Sequence, residues 1–455
     1  MGIARHIRKL EGYVPGEQPK SKNVVKLNTN ENPYPPSPKC TAVLTSFDLD
    51  DLRRYPDPNF TTLAKAIADK NGTTADRVFV GNGSDEILSL ATRVFVENDE
   101  SIGSLDPSYT LYKTLAAIRD VKWVGVGRAT GDARRASAIL AECRKSNISL
   151  FLWTNPNAPT GEFAEPKAIA AFARKFKGVV IVDEAYADFS RDNCMSLATA
   201  PRNRNVIVMR TFSKSYSLAG LRVGYCVGPK DLIDALYKAK ASYNVDAVAQ
   251  AVALMALKDD AYHKKTVAKV IKTRKAFGKA LAKRGWDVIR SESNFVFVKP
   301  PAGDAAKDIF SYLKDRNIFV RYFPGPLTGD RLRITIGTDG QMETLLDALG
   351  PDGDVFGRLG YADWLASRAG RAVEAVDLRH WRGGEPVGVL VAEVGLLHDG
   401  ELREVRERHE VAGLHAFLVA AAAEERHALV FVGNEFLQFL KLHLSQLGNR
   451  HVVWF

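Results

Sequence analysis

The chain reads as an α/β protein built on a mainly parallel sheet, followed by a smaller α+β unit. Three observations predict this. Between about residue 50 and residue 230, helical patterns such as Phe60 to Lys70 and Asp85 to Val96 alternate with short apolar runs. The runs at 78–80, 150–153, 179–182, 206–209 and 223–227 have the length and β-branched content of buried strands. From about 245 onward the pattern changes to a long helical stretch, Val245 to Gly285, and then to short strands around one more helix. Alternation of the first kind implies parallel strands with helices on both faces, and ligands then gather at the carboxyl ends of the strands. Asp183 falls at such an end, closing the run Val179-Val180-Ile181-Val182.

Each segment has its own character. Residues 1–35 are Pro-rich and extended, an arm rather than a domain. Residues 36–250 form the large unit. Residues 251–350 form the small unit, with Trp286 to Ile289, Asn294 to Val298, a helix near Ala305 to Arg316, Phe319 to Tyr322 and Leu332 to Ile336. Past Gly350-Pro351-Asp352-Gly353 the composition shifts, with one lysine, Lys441, against ten arginines. That marks 351–455 as an appended α/β-like module, with strand-like Val387 to Val391, a charged helical stretch Glu401 to Glu410, and apolar Ala416 to Ala423 and Leu429 to Val432.

Composition excludes several classes. With 455 residues, 46% hydrophobic and 25% charged, the chain is an ordinary globular protein with room for two or three domains. No apolar run approaches the ~18 residues of a membrane span, and the N-terminus has no apolar leader, so a cytoplasmic protein is expected. Cys40, Cys143, Cys194 and Cys226 lack CxxC spacing and read as reduced thiols. The net charge of +10 is uneven: residues 351–455 hold 11 Lys+Arg against 15 Asp+Glu, leaving 52 against 38 in the first 350. The basic residues are dispersed and show no nucleic-acid motif, which suits anionic small-molecule substrates.

The chemistry is concentrated in Thr211-Phe212-Ser213-Lys214-Ser215 and Gly220-Leu221-Arg222. An amine, a hydroxyl and a guanidinium at this spacing can hold an aldehyde cofactor as a Schiff base and grip a phosphate on it. Asp183, thirty-one residues upstream of Lys214, is a carboxylate suited to a pyridinium nitrogen. Together they describe a pyridoxal 5′-phosphate (PLP) site. Gly81-Asn82-Gly83-Ser84-Asp85-Glu86 opens a helix after a strand, where free N–H groups make an anion site.

With Tyr13-Val14-Pro15-Gly16, Leu27-Asn28-Thr29-Asn30-Glu31-Asn32-Pro33, Arg54-Tyr55-Pro56-Asp57, Asn155-Pro156-Asn157-Ala158-Pro159-Thr160-Gly161, Asp183-Glu184-Ala185-Tyr186 and Leu332-Arg333-Ile334-Thr335-Ile336-Gly337 in this order, residues 1–350 resemble the histidinol-phosphate aminotransferases. The resemblance implies fold type I among PLP enzymes, with a seven-stranded sheet. It implies that Lys214 carries the cofactor and shuttles the proton, and that Asp183 holds the ring nitrogen protonated. Tyr186 and Asn157 would meet the ring hydroxyl, and Tyr109 would stack on the ring. Ser84 and Asp85 (through their backbone), Thr211, Ser213 and Arg222 would hold the phosphate. Tyr55 would reach the phosphate of the neighbouring subunit, making the enzyme a homodimer. Tyr13, Asn157, Asn294, Arg321 and Arg333 would bind a phosphorylated amino substrate and then 2-oxoglutarate, with glutamate as product.

The sequence departs from that family at two places. Ala158 stands where a second asparagine is usual, so Asn157 would serve from one position earlier. Ser242-Tyr243-Asn244-Val245-Asp246 lacks the usual proline and has Asp for Asn. An aromatic aminotransferase and a threonine-phosphate decarboxylase share much of the framework and stay open, as does a PLP-binding regulator or scaffold. Seven of the nine histidines lie in the tail, without HxxxH or HExxH spacing, so no metal is expected.

Overall fold

A computed structural model describes residues 2–10, 12–21, 23–127, 133–302 and 305–350, and beyond these the backbone of two strands. Its centre is a seven-stranded sheet: β1 Val78–Gly81, β2 Ser101–Leu105, β3 Lys122–Val126, β4 Ile148–Thr154, β5 Val179–Asp183, β6 Val206–Thr211 and β7 Gly224–Val227. Their spatial order is β1-β7-β6-β5-β4-β2-β3. Strands β3, β2, β4, β5 and β6 are parallel, and β7 runs antiparallel to both β6 and β1.

The alternation of side chains across the pleat explains why these runs are apolar without interruption. Phe151, Trp153, Val180, Val182, Val206 and Val208 pack into one core. Their sequence neighbours Leu150, Leu152, Ile181, Ile207 and Met209 pack into a second core. A strand covered on both faces needs an apolar residue at every position. Two strands escape the sequence reading for the opposite reason. In β2, Ser101 and Ser104 are buried polar positions, and in β3 Lys122 and Gly125 are exposed, so neither forms a continuous apolar run.

The long helical stretch after 245 is two helices, Ala247–Lys258 and Asp260–Lys283, broken at Asp259. Asp246, one of the departures noted above, is the N-cap of the first, its carboxylate accepting from Ala249 N at 2.7 Å. Next to these lies an antiparallel sheet in the order Arg321–Tyr322, Leu332–Thr335, Phe295–Lys299, Asp287–Val288. Arg321 stands directly across from Arg333 in it. The closing helix Asp339–Ala348 begins with a capping box of Thr338 and Gln341.

The arm carries a short helix, Arg5–Arg8, and is then sewn into this second region. Val25–Lys26 pairs in parallel with Ile318–Phe319, and Leu27 O accepts from Thr335 N at 2.9 Å. Asn30 then turns the chain with φ 57°, a left-handed conformation that asparagine tolerates better than most residues.

In the tail, Ala416–Val419 and Leu429–Val432, within the two runs read only as apolar, pair antiparallel as strands. Val387 to Val391, the stretch Glu401 to Glu410 and the seven tail histidines lie outside the described residues. Among the described residues no helix is long and apolar enough to cross a membrane. All four cysteines are buried and unpaired by disulfides.

Phe151 and Trp153 of β4 pack with Phe172 and Phe176 in an aromatic cluster. Phe151 is fully buried, with ring centroids of Phe172, Trp153 and Phe176 at 4.8, 5.7 and 6.1 Å. Phe151→Ala is expected to cost ~3–5 kcal/mol in urea unfolding followed by circular dichroism.

Candidate active site

Strands β4, β5 and β6 end side by side, and their last residues are polar. Thr154 on β4 is in register with Asp183 on β5, which pairs with Met209 two residues before Thr211 on β6. Asp183 is 4% exposed. Its Oδ2 accepts from Tyr112 Oη at 2.7 Å and its Oδ1 from Ala185 N at 3.2 Å. Burial pushes its pKa up to about 6, against the pull of these two hydrogen bonds. A buried carboxylate whose charge is this poorly compensated is a fitting partner for a ring cation.

Lys214 lies in the loop after β6, half-buried, with Nζ donating to Thr29 O of the arm at 3.2 Å and standing 5.9 Å from the Tyr186 ring centre. Burial first, and then the positive charge of Arg333, lower its pKa to about 8, against the opposing pull of Glu31 and Asp85. A lysine so placed loses its proton near neutral pH and becomes a nucleophile.

The phosphate-binding candidates form a cup at the start of the helix Gly83–Val94. Arg222 donates to Ser213 Oγ at 3.3 Å and to Asp85 Oδ2 at 3.1 Å. Thr211 Oγ1 accepts from Ser213 N at 3.1 Å and donates to Ser213 Oγ at 3.0 Å, fixing that hydroxyl. The cup is shaped by two missing side chains. A Cβ on Gly224 would sit 2.5 Å from Ser84 N, and one on Gly83, where φ is 76°, would sit 2.6 Å from Arg222 Nη2. Helix N–H groups, a hydroxyl and a guanidinium left open by two glycines fit a phosphate monoester.

Four tyrosines adjoin the site, and one of them, Tyr109, reaches to 3.5 Å from Asp85 Oδ1 of the cup. Tyr109 is edge-on to Tyr13 at 6.1 Å and to Tyr112 at 5.6 Å. Tyr186 accepts from Asn30 Nδ2 at 2.9 Å and packs edge-on to Phe295. Asn157 donates to Pro107 O and to Thr160 Oγ1, both at 3.0 Å, and accepts from Ser108 Oγ at 3.2 Å.

Two arginines complete the region and differ in their engagement. Arg333 Nη2 donates to Asn28 O at 2.9 Å, while its buried Nε has no hydrogen-bond partner. Its guanidinium carbon lies 5.1 and 5.4 Å from the ring centres of Phe323 and Phe295. Arg321 holds the arm, donating to Val14 O at 3.1 Å and Pro15 O at 3.2 Å. Asn294 is fully buried and donates to Asn30 O at 2.9 Å. Tyr55 stands apart from this cluster, 79% exposed and stacked on Tyr243 at 4.2 Å.

This geometry is what an amino-group transfer site requires, and comparison with known proteins decides the family. Residues 22–349 match the family described as aminotransferase class I and II. The chain belongs to that family. Among curated relatives, this aminotransferase is 39% identical over 345 residues to histidinol-phosphate aminotransferase 1 of Nostoc sp., covering 76% of this chain and 96% of that one. It is 41% identical over 348 residues to the histidinol-phosphate aminotransferase of Syntrophotalea carbinolica, covering 76% and 98%. Among solved structures, the histidinol-phosphate aminotransferase of Sinorhizobium meliloti in complex with pyridoxal-5′-phosphate superposes with a TM-score of 0.70 at 26% identity, covering 77% of this chain and 97% of that one. The cofactor of this aminotransferase is PLP, and the fold built on its seven-stranded sheet is fold type I.

Two site residues escape the sequence reading. Tyr112 carries no motif; it faces Asp183 because it begins the helix Leu111–Arg119 next to the strand ends. Asn30 lies within a recognised motif, but its bonds to Tyr186 and Thr335 connect residues 156 and 305 positions apart, which no local pattern reveals.

Two outcomes follow. Gly224→Ala should weaken PLP binding more than tenfold in a spectral titration and destabilise the fold by ~1–3 kcal/mol, because the clash is with backbone that cannot yield. In cofactor-free protein, acylation of Lys214 read by peptide mass spectrometry should rise with a midpoint near the value of about 8 given above. In Arg333→Gln the midpoint should move upward, since removing a neighbouring cation favours the protonated amine.

Proposed function

We propose that this aminotransferase moves an amino group between L-histidinol phosphate and 2-oxoglutarate, giving imidazole-acetol phosphate and glutamate, as a homodimer in the cytoplasm. The observation that carries the reading is Arg333: a half-buried guanidinium with a buried, unpartnered Nε, beside the lysine and the tyrosines. One donor substrate offers it a phosphate and the other a carboxylate, and an arginine fork accepts either. The likeness to histidinol-phosphate aminotransferases at about 40% identity supports the choice of donor.

When bound, PLP supplies an electron-withdrawing ring that carries the amino group from one substrate to the next. The chain's own residues supply the rest. Lys214 Nζ holds the cofactor aldehyde and then takes and returns the proton at the substrate carbon bearing nitrogen. Its lowered pKa leaves a neutral amine available for that transfer. Asp183 Oδ2, oriented by Tyr112, holds the proton on the ring nitrogen. Tyr186 would bond the ring hydroxyl and Tyr109 would stack on the ring; Asn157 would join Tyr186 by giving up one of its amide bonds, to Pro107 O or Thr160 Oγ1. The backbone of Ser84 and Asp85, with Thr211, Ser213 and Arg222, binds the cofactor phosphate. Tyr13 lies along the imidazole, and Asn294 fixes the arm at Asn30. Arg321 is the second anion ligand. Its present acceptors are neutral carbonyls, and a phosphate would offer the same fork two parallel bonds together with an opposite charge. Tyr55, exposed and stacked on Tyr243, reaches the cofactor phosphate of the partner subunit.

Division of labour follows the segments: the arm covers the substrate, 36–250 holds the cofactor, and 251–350 supplies Arg321, Arg333 and Asn294. The test is half-transamination of the purified protein against histidinol phosphate, phenylalanine, threonine phosphate and glutamate, followed by the change in visible absorbance. Histidinol phosphate and glutamate should react fastest. Arg333→Leu should lower kcat/KM for both by about a hundredfold or more. Preference for phenylalanine, or carbon dioxide release from threonine phosphate, would reject the reading.

A further inference from the structure

Adjoining Lys214 is a buried polar cluster that none of the roles above uses. Glu184 and Asp188 follow β5, Arg210 lies on β6, Ser215 and Tyr216 follow Lys214, and His263 lies on the helix Asp260–Lys283. Arg210 donates from Nε and Nη2 to Glu184 Oε2 at 3.0 and 2.8 Å, and its Nη1 is 3.5 Å from Asp188 Oδ1. Glu184 is itself tied to the sheet, its N donating to Met209 O at 2.8 Å and its other carboxylate oxygen accepting from Cys194 N. Asp188 Oδ2 accepts a short hydrogen bond from Ser215 Oγ. His263 Nε2 lies 3.5 Å from the same oxygen, an ion pair only when the imidazole is protonated, and the imidazole stacks on Tyr216 at 3.9 Å.

The cluster therefore runs from the rigid sheet to the residue next to the lysine. The loop around Lys214 is not in a strand ladder, and Ser217 within it has φ 62°. Ser215 is held at both ends: its hydroxyl by Asp188, and its carbonyl by Asn32 Nδ2 of the arm at 3.0 Å. Burial works against charge on Asp188, yet His263, Arg210 and Ser215 hold its carboxyl well below the usual range. The Ser215 hydroxyl thus donates to an ionised oxygen, the stronger kind of hydrogen bond.

We infer that Asp188 is a positioning residue for the reaction, fixing the peptide of Lys214 through the Ser215 hydroxyl while Arg210 and Glu184 hold Asp188 to the sheet. The inference rests on Lys214 carrying the cofactor. Small displacements of a reacting group cost large factors in rate, so the effect falls on kcat rather than on substrate binding.

The test uses the full-length, PLP-loaded protein. Ser215→Ala should lower kcat about tenfold with KM for the amino donor unchanged within about twofold. It should also shift the pH midpoint of the visible absorption band by about half a unit or more. Ser215→Thr, which keeps the hydroxyl, should restore both. Asp188→Asn, which keeps an acceptor but loses the charge, should lower kcat in the same direction, and the double variant should fall short of the product of the two effects, because both act through the Ser215 contact. Wild-type kcat and midpoint in Ser215→Ala, no rescue by threonine, or multiplying effects in the double variant would overturn the inference. Should Asp188→Asn fail to fold, the alanine and threonine pair decides alone. The role of Lys214 is tested separately: if borohydride reduction still fixes the chromophore to Lys214→Ala, that reading fails whatever the Ser215 series gives.

Discussion

Everything in the site depends on the parallel alignment of β4, β5 and β6, which brings three carboxyl-terminal strand ends to one edge. Parallel strands point the same way, so the residues that follow them converge without any special local design. Thr154 and Asp183 stand in register, and Tyr112 bonds to both side chains. The sheet can hold a buried carboxylate there because Tyr112 and the Ala185 amide satisfy it. The sheet order also explains the antiparallel β7. It returns the chain from the Lys214 loop to a place between β6 and β1, bringing Gly224 against the helix that β1 feeds.

The second constraint is the arm. A segment read as merely extended is a structural strand from Val25, and it delivers three backbone or side-chain groups to the site. Asn28 O takes a bond from Arg333, Thr29 O from Lys214, and Asn30 Nδ2 bonds Tyr186. Asn30 is also held by Thr335 on one strand of the small sheet and by Asn294, just before another, so its left-handed turn is fixed from two sides. The arm is thus the physical link between the lysine and the arginines.

How much of this was legible in the sequence depends on the range of the interaction. Apolar runs under both faces of the sheet announce themselves, because each residue of Val179–Asp183 is read by its immediate neighbours. Ser101–Leu105 and Lys122–Val126 do not, since buried serines and surface glycine break the apolar signal while tertiary pairing still makes them strands. The residues of the cup were legible as motifs, because a glycine turn, a lysine and an arginine act through short spacings. Tyr112 and Asn30 were not, because their partners are distant in sequence. Arg321 shows a further limit: the residue type was visible, but not that its donors are engaged by the carbonyls of Val14 and Pro15. Asp246, an oddity in the sequence, has a plain reason as a helix cap.

The two glycines of the cup set a boundary on how this protein can change. Since backbone atoms lie within 3 Å of where a Cβ on Gly224 would stand, the cup has no room for a side chain at that position. On the arm the constraint is softer: the nearest atoms to a Cβ on Gly16 belong to the side chains of Thr29, Arg321 and Asn28, which can move, so this end of the protein admits change where the cup does not.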